Sequence, residues 1–116
     1  MPGYSVTAAN QALDALSGGT VNLLGFVNIN TADPGTTGAS EATSTRQACS
    51  WNAAATRTKT NSSALTFTGQ AAGTPNSHFS TWSAATAGTF GISGALTSTV
   101  TAATITVAAG ALTLSA

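Results

Sequence analysis

The chain has 116 residues, three acidic and three basic side chains, one histidine and no net formal charge. Its 5% charged content compares with about 25% in an ordinary soluble domain. Proton transfer and metal chemistry need ionisable groups, and nucleic-acid binding needs many Lys and Arg to displace counterions; the composition therefore argues against an enzyme, a cofactor, a metal centre and a nucleic-acid binder.

The length is that of one domain, residues 1–116. The hydrophobic share of 42% includes 24 alanines, which bury little area each. The apolar core is expected to be thin and completed by other copies, giving a homo-oligomer, with a trimer as one option. Zero net charge removes electrostatic repulsion between copies.

Residues 1–6 (MPGYSV) read as an extended arm, with neither the basic start nor the apolar run of a secretory signal. Residues 7–17 form the one expected helix, with Thr7 as N-cap, Ala12, Leu13 and Leu16 on one face, and Gly18-Gly19 as its stop. Residues 20–116 read as strands and turns. The first strand is 20–30 (TVNLLGFVNIN), where Val27 and Ile29 alternate with asparagines. Asp33-Pro34-Gly35 is a strong turn signal, because Pro presets φ and Gly accepts a positive one. A small polar loop follows to Thr45. Weakly alternating strands are expected at 46–53 and 63–68, with Leu65 and Phe67 facing one side. A loop at 69–76 precedes a strand at 77–83, on which Phe79 and Trp82 fall on opposite faces. Strands at 89–92, 95–101, 104–108 and 111–115 complete the series. About eight short strands with polar turns indicate a mainly β fold, an antiparallel β-sandwich or jelly roll with one short N-terminal helix. No run approaches the ~20 apolar residues of a membrane-spanning helix.

Thr at alternate positions (Thr56/Thr58/Thr60, Thr66/Thr68, Thr97/Thr99/Thr101, Thr104/Thr106) suits a solvated strand face. A water-ordering solenoid would need a fixed repeat, and the clusters start at intervals of 10, 31 and 7 residues.

Few residues could carry chemistry. His78 has no second histidine for a metal or a triad. Asp33 and Glu41 are too few for a calcium loop. Arg46, Arg57 and Lys59 can form a small basic patch, or intersubunit salt bridges with Asp14, Asp33 or Glu41. Cys49 is alone and reads as a small buried hydrophobe. Trp51 and Trp82 read as core, the other reading being an exposed sugar-stacking pair.

Three segments resemble a family of small structural proteins of tailed phages, especially those of actinobacterial hosts. Residues 28–41 carry INTADPGTTGASE, close to the family's HTADPGTTGANE turn. Residues 44–53 (STRQACSWNA) are similar to its YARQAVTW strand. Residues 79–115 carry STWSAATAGTFGISGALTS and TVAAGALTLS, close to its C-terminal strings. Asn30 stands where the family often has His, and Asn76-Ser77-His78 is a more polar lead-in than usual. Members are tail fibre, minor tail or head decoration proteins, so the resemblance implies a virion component made in the host cytoplasm.

A single domain without stalk, repeats or heptads suits a decoration protein on the capsid exterior, with the major capsid protein as partner, docking through the arm and the uncharged last strands. The alternative is a tail fibre or minor tail protein that recognises the host surface through Trp51, Trp82 or Tyr4.

Overall fold

The computed structural model describes residues 5–18 and 20–115. Strands β1 (Phe26–Asn30), β2 (Gln47–Ala48), β3 (Thr58–Thr60), β4 (Leu65–Phe67), β5 (Asn76–Trp82), β6 (Phe90–Val100), β7 (Ile105–Val107) and β8 (Thr113–Ser115) form three antiparallel sheets. The largest has the order β2-β1-β5-β6, while β3 pairs with β8 and β4 with β7. This is the expected mainly β, sandwich-like fold.

Differences from expectation have local causes. Strand β1 starts at Phe26 rather than Thr20, because the chain turns first: Leu23 N–H bonds to Leu16 O at 2.9 Å and Leu24 N–H to Asn22 Oδ1 at 3.0 Å. Val21 consequently lies on the surface, 47% exposed, and not in the core. The two strands expected at 89–92 and 95–101 are one continuous strand, β6, whose pairing with β5 is interrupted by two register shifts. Continuity there depends on Gly94, which sits against the Phe79 ring; a Cβ would lie 2.6 Å from two of its atoms. The expected strand at 46–53 is reduced to β2 and a single bridge between Trp51 and Asn61.

Among the described residues there is one helix, α1 (Val6–Gly18). Ser5 caps it instead of Thr7: its Oγ accepts the Ala8 N–H at 3.1 Å and its carbonyl accepts the Ala9 N–H at 2.9 Å. A serine caps as well as a threonine, so the cap lies two residues earlier than expected and the helix begins at Val6. The buried stripe is Ala9 and Leu13, with Leu16 against the core; Ala12, expected inward, is exposed. Polar contacts explain this roll of the helix. Asn10 Oδ1 accepts the Arg57 N–H at 2.9 Å, and Asp14 Oδ1 accepts the Ala54 N–H at 2.9 Å and Lys59 Nζ at 2.6 Å. Asn10 and Asp14 are one turn apart and so share a row. Residues 1–4, most of the expected arm, lie outside the described residues, as does Gly19 of the expected helix stop. No helix among the described residues is long and apolar enough to cross a membrane.

The apolar core joins the inner face of the four-stranded sheet (Val27, Ile29, Phe79) to β4, β7 and β8 (Leu65, Phe67, Ile105, Val107, Leu114), with Leu13 from the helix. Leu65↔Val107 and Phe67↔Ile105 are cross-strand pairs pointing into it. Between them, Thr66↔Thr106 are paired on the opposite, exposed face, the solvated threonine face expected from the alternation. Thr56 departs from that pattern, with φ +51° in a turn, and the Thr97 side chain lies outside the described residues.

Short strands leave many backbone groups without ladder partners, and buried side-chain amides take them up. Asn61 donates to Ser63 O and Ala108 O and accepts from Leu112 N–H, which fixes the turn between β7 and β8. Asn76 donates to Gln70 Oε1 and Thr74 O, and Gln70 in turn donates to Ala102 O at 2.7 Å. Asn61 and Asn76 are both fully buried. A polar interior therefore supplements the thin apolar core.

Candidate functional site

The alternation in β1 predicts one wet face, yet Asn28 and Asn30 are 1% and 0% exposed. The outer face of the main sheet is covered. Register places Asn28 opposite Ser80 and Phe26 opposite Trp82, so these side chains share that face, and the loop before β2 folds over them.

Asn28 organises the contact. Its Nδ2 donates to Glu41 Oε2 at 2.8 Å and to Ser44 O at 3.0 Å, and its Oδ1 accepts from Ser44 Oγ at 2.6 Å. Asn30 Nδ2 donates to Ala39 O at 3.1 Å, while Ser80 Oγ donates to Asn30 Oδ1 at 2.7 Å and accepts from Trp82 Nε1 at 2.8 Å. The Asp33-Pro34-Gly35 turn allows the loop to return over the sheet: Gly35 has φ +62° and its N–H bonds to Asp33 Oδ1 at 2.9 Å. Asp33 is thus a turn residue.

Arg46 closes the cluster. Nε and Nη2 form a two-pronged pair with Glu41 at 2.6 and 3.0 Å, and Nη1 donates to Ala84 O at 3.0 Å and Ala87 O at 2.7 Å. Its guanidinium lies 3.8 Å from the centre of the Trp82 ring, a cation–π stack. Trp82 also packs on Phe90 at 5.5 Å between ring centres. One side chain thereby ties the loop before β2 to the β5–β6 turn.

Burial alone would raise the Glu41 carboxyl, but the hydrogen bonds from Arg46 and Asn28 and the charge of Arg46 outweigh it and hold it below its ordinary value of 4.5. Since the folded protein lowers this pKa, the stabilisation is present above pH 4.5 and is lost as pH falls through the folded value. Glu41→Gln is expected to flatten the acid limb of a denaturant-midpoint profile between neutral pH and pH 3. The flattening is partial, because the Lys59 hydrogen bond, followed by the Ala54 N–H, also holds the Asp14 carboxyl low. An unaltered acid limb would remove Glu41 from this role.

The other sequence candidates are dispersed. Arg46 and Lys59 do not form a basic patch, nor are they unpaired for intersubunit bridges: each makes an ion pair within the chain, with Glu41 and Asp14 respectively. Lys59 is buried, 4% exposed, because its strand lies beneath α1. Trp82 is core, as expected. Trp51 is half-buried, with Nε1 donating to Leu24 O at 2.9 Å. The two indoles therefore have separate partners and do not form an exposed stacking pair; Tyr4 lies outside the described residues. Cys49 is half-buried rather than buried, and burial pushes its thiol up to about 11, so it stays protonated and poorly nucleophilic at neutral pH. His78 is half-buried, its Nδ1 2.7 Å from Ser77 Oγ. Among the described residues no three His, Cys, Asp or Glu side chains gather as a metal would require.

Two hollows stand out among the described residues. One, of about 230 Å³, is apolar, with Leu96, Val100, Ile105, Val107 and Leu112 in its wall. The other, of about 370 Å³, lies over the Glu41–Arg46 pair and is bordered by Ser44, Thr45 and residues 85–87. Neither was legible in the sequence, since each joins segments far apart in the chain.

The chain is mainly β, held by antiparallel sheets and buried amides, with the Glu41–Arg46 and Asp14–Lys59 ion pairs tying separate segments together. The model of the Gp80 family, described as podophage GP4 fiber I protein gp80, matches residues 3–115. The chain belongs to this family, and it is a phage virion structural protein. No curated protein matches the chain significantly.

Proposed function

We propose that this chain is a component of a phage fibre in the tail, where it contributes to contact with the host surface by binding and not by catalysis. The observation that carries this reading is the match to a fibre family over residues 3–115. The family's description favours a fibre over decoration of the outer shell, and the charge-poor surface suits close packing between subunits. Other copies of the chain are its partners, and zero net charge lets them approach without repulsion.

Location in the particle tests the proposal. Immunogold labelling and quantitative gels of purified virions should find the protein at the tail in few copies per particle, and antibody fragments against it should block adsorption. Hundreds of copies on the head, with adsorption unaffected, would replace this reading by shell decoration with the major capsid protein as partner.

A further inference from the structure

We propose that the hollow over the Glu41–Arg46 pair is a binding site for a neutral sugar that presents two adjacent hydroxyl groups. This deepens the fibre reading and rests on it for its biological setting, although the chemistry comes from the hollow itself.

The hydrogen-bond capacity of the pair is nearly, but not fully, used. Glu41 Oε2 accepts from Asn28 and from Arg46 Nε, whereas Oε1 accepts only from Arg46 Nη2. Each carboxylate oxygen accepts about two hydrogen bonds, so Oε1 has one position left. Arg46 has five N–H donors. Nε gives one to Glu41, Nη1 gives two to Ala84 O and Ala87 O, and Nη2 gives one to Oε1. One Nη2 hydrogen remains. The pair therefore offers one donor and one acceptor on atoms 3.0 Å apart.

That doublet selects a chemical class. Two neighbouring hydroxyls fit it, one accepting from Nη2 and the next donating to Oε1. A trans peptide does not, because its N–H and C=O point to opposite sides of the bond. An anion would face Glu41 and a cation would face Arg46, so a ligand without net charge is preferred. Thr45 and Thr86 border the same hollow, and their hydroxyls, which can both donate and accept, have no partner among the described residues. The apolar part of the lining is only the alanine methyls of Ala42, Ala85 and Ala87, enough for the C–H face of one ring. A volume of about 370 Å³ lies at the small end for ligand sites.

The site is also held in shape before any ligand arrives. Arg46 is 10% exposed and is fixed from four directions, by both Glu41 oxygens and two backbone carbonyls. Those carbonyls belong to the 84–88 turn, which packs so tightly that a Cβ on Gly88 would lie 2.9 Å from the Ala84 Cβ. Binding therefore costs little ordering of the protein.

The test is a titration of the isotope-labelled protein with methyl mannoside, methyl galactoside, methyl glucoside and N-acetylglucosamine, followed through backbone amide shifts. At least one sugar should move the amides of residues 41–46 and 84–88 with a dissociation constant of about 1 mM, and N-methylacetamide, a trans peptide analogue, should not. Thr86→Trp and Ala85→Trp, at exposed positions on the rim, fill the hollow without replacing either member of the ion pair. They should abolish the response while leaving the rest of the spectrum unchanged. The proposal is overturned by no response to any sugar at tens of millimolar, by shifts confined to the surroundings of Trp51, by an equal response to N-methylacetamide, or by full binding in both filled variants. None of these results bears on whether the protein sits in the tail, which the virion labelling decides independently.

Discussion

Asn28→Leu is expected to destabilise the protein by about 3–5 kcal/mol, enough to leave a large part of it unfolded at room temperature if the fold has ordinary marginal stability. On the alternating pattern of β1 alone, the substitution exchanges a solvent-facing amide for a good strand former and should be nearly neutral. In the folded chain, however, the Asn28 amide bonds to the Glu41 carboxylate and to Ser44 on both its carbonyl and its hydroxyl. Leucine leaves the Ser44 carbonyl and hydroxyl covered without this partner, each at a cost of about 1–3 kcal/mol, and removes one hydrogen bond from Glu41, which keeps Arg46. Leucine also has no place for its extra apolar bulk between polar neighbours. Chemical denaturation measures the outcome, and a midpoint within error of the parent protein would mean that the loop does not cover the outer face of the sheet.

Gly38→Ala should cost about 2–5 kcal/mol, from two independent sources. Gly38 has φ +77°, a conformation in which an alanine loses about 1–2 kcal/mol. Its missing Cβ would also stand 2.6 Å from Trp82 Cη2 and 3.0 Å from Phe90 Cδ1, and such overpacking costs roughly 1–3 kcal/mol. The ring can move only by disturbing its stack on Arg46, so the damage should spread to the Glu41 pair and reduce the acid sensitivity of the protein. Gly35→Ala is the control: it has a similar φ of +62° but nothing within 4 Å of a Cβ, so only the backbone cost should appear. Equal losses in the two variants would show that Trp82 does not press on Gly38.

The physical basis of these expectations shows where one-dimensional reading worked. The paired positions Ile105/Val107 and Leu112/Leu114 are buried in alternation, because a two-residue period in apolar side chains can satisfy only one sheet face at a time. The turn at Asp33 formed because Asp, Pro and Gly each carry their preference locally. The helix was legible from the spacing of Leu13 and Leu16, although the competition between Ser5 and Thr7 for the cap was not, as either hydroxyl is a good cap.

The sugar-stacking role considered for Trp51 and Trp82 failed for a different reason. Residue type says that an indole is large and amphipathic, but says nothing about what lies over it. Trp82 is covered by Arg46, 36 positions away in the chain, and the Trp51 N–H is used by Leu24 O. The polar hollow that replaces them as a candidate consists of an ion pair and two threonines, which in the linear order look like ordinary loop residues.

Composition set the expectation of a binding role, because six charged side chains in 116 residues argue against proton or metal chemistry, and the apolar periodicity pointed to the β fold that the structure shows. Tertiary structure decided which polar residues are interior. Whether an asparagine faces water or serves as a staple depends on whether another segment folds across it, and that segment is chosen by long-range contacts such as Asn28 to Ser44 and Arg46 to Ala87. Local preferences carry no information about such pairings, because their free energy appears only once both partners have left water together.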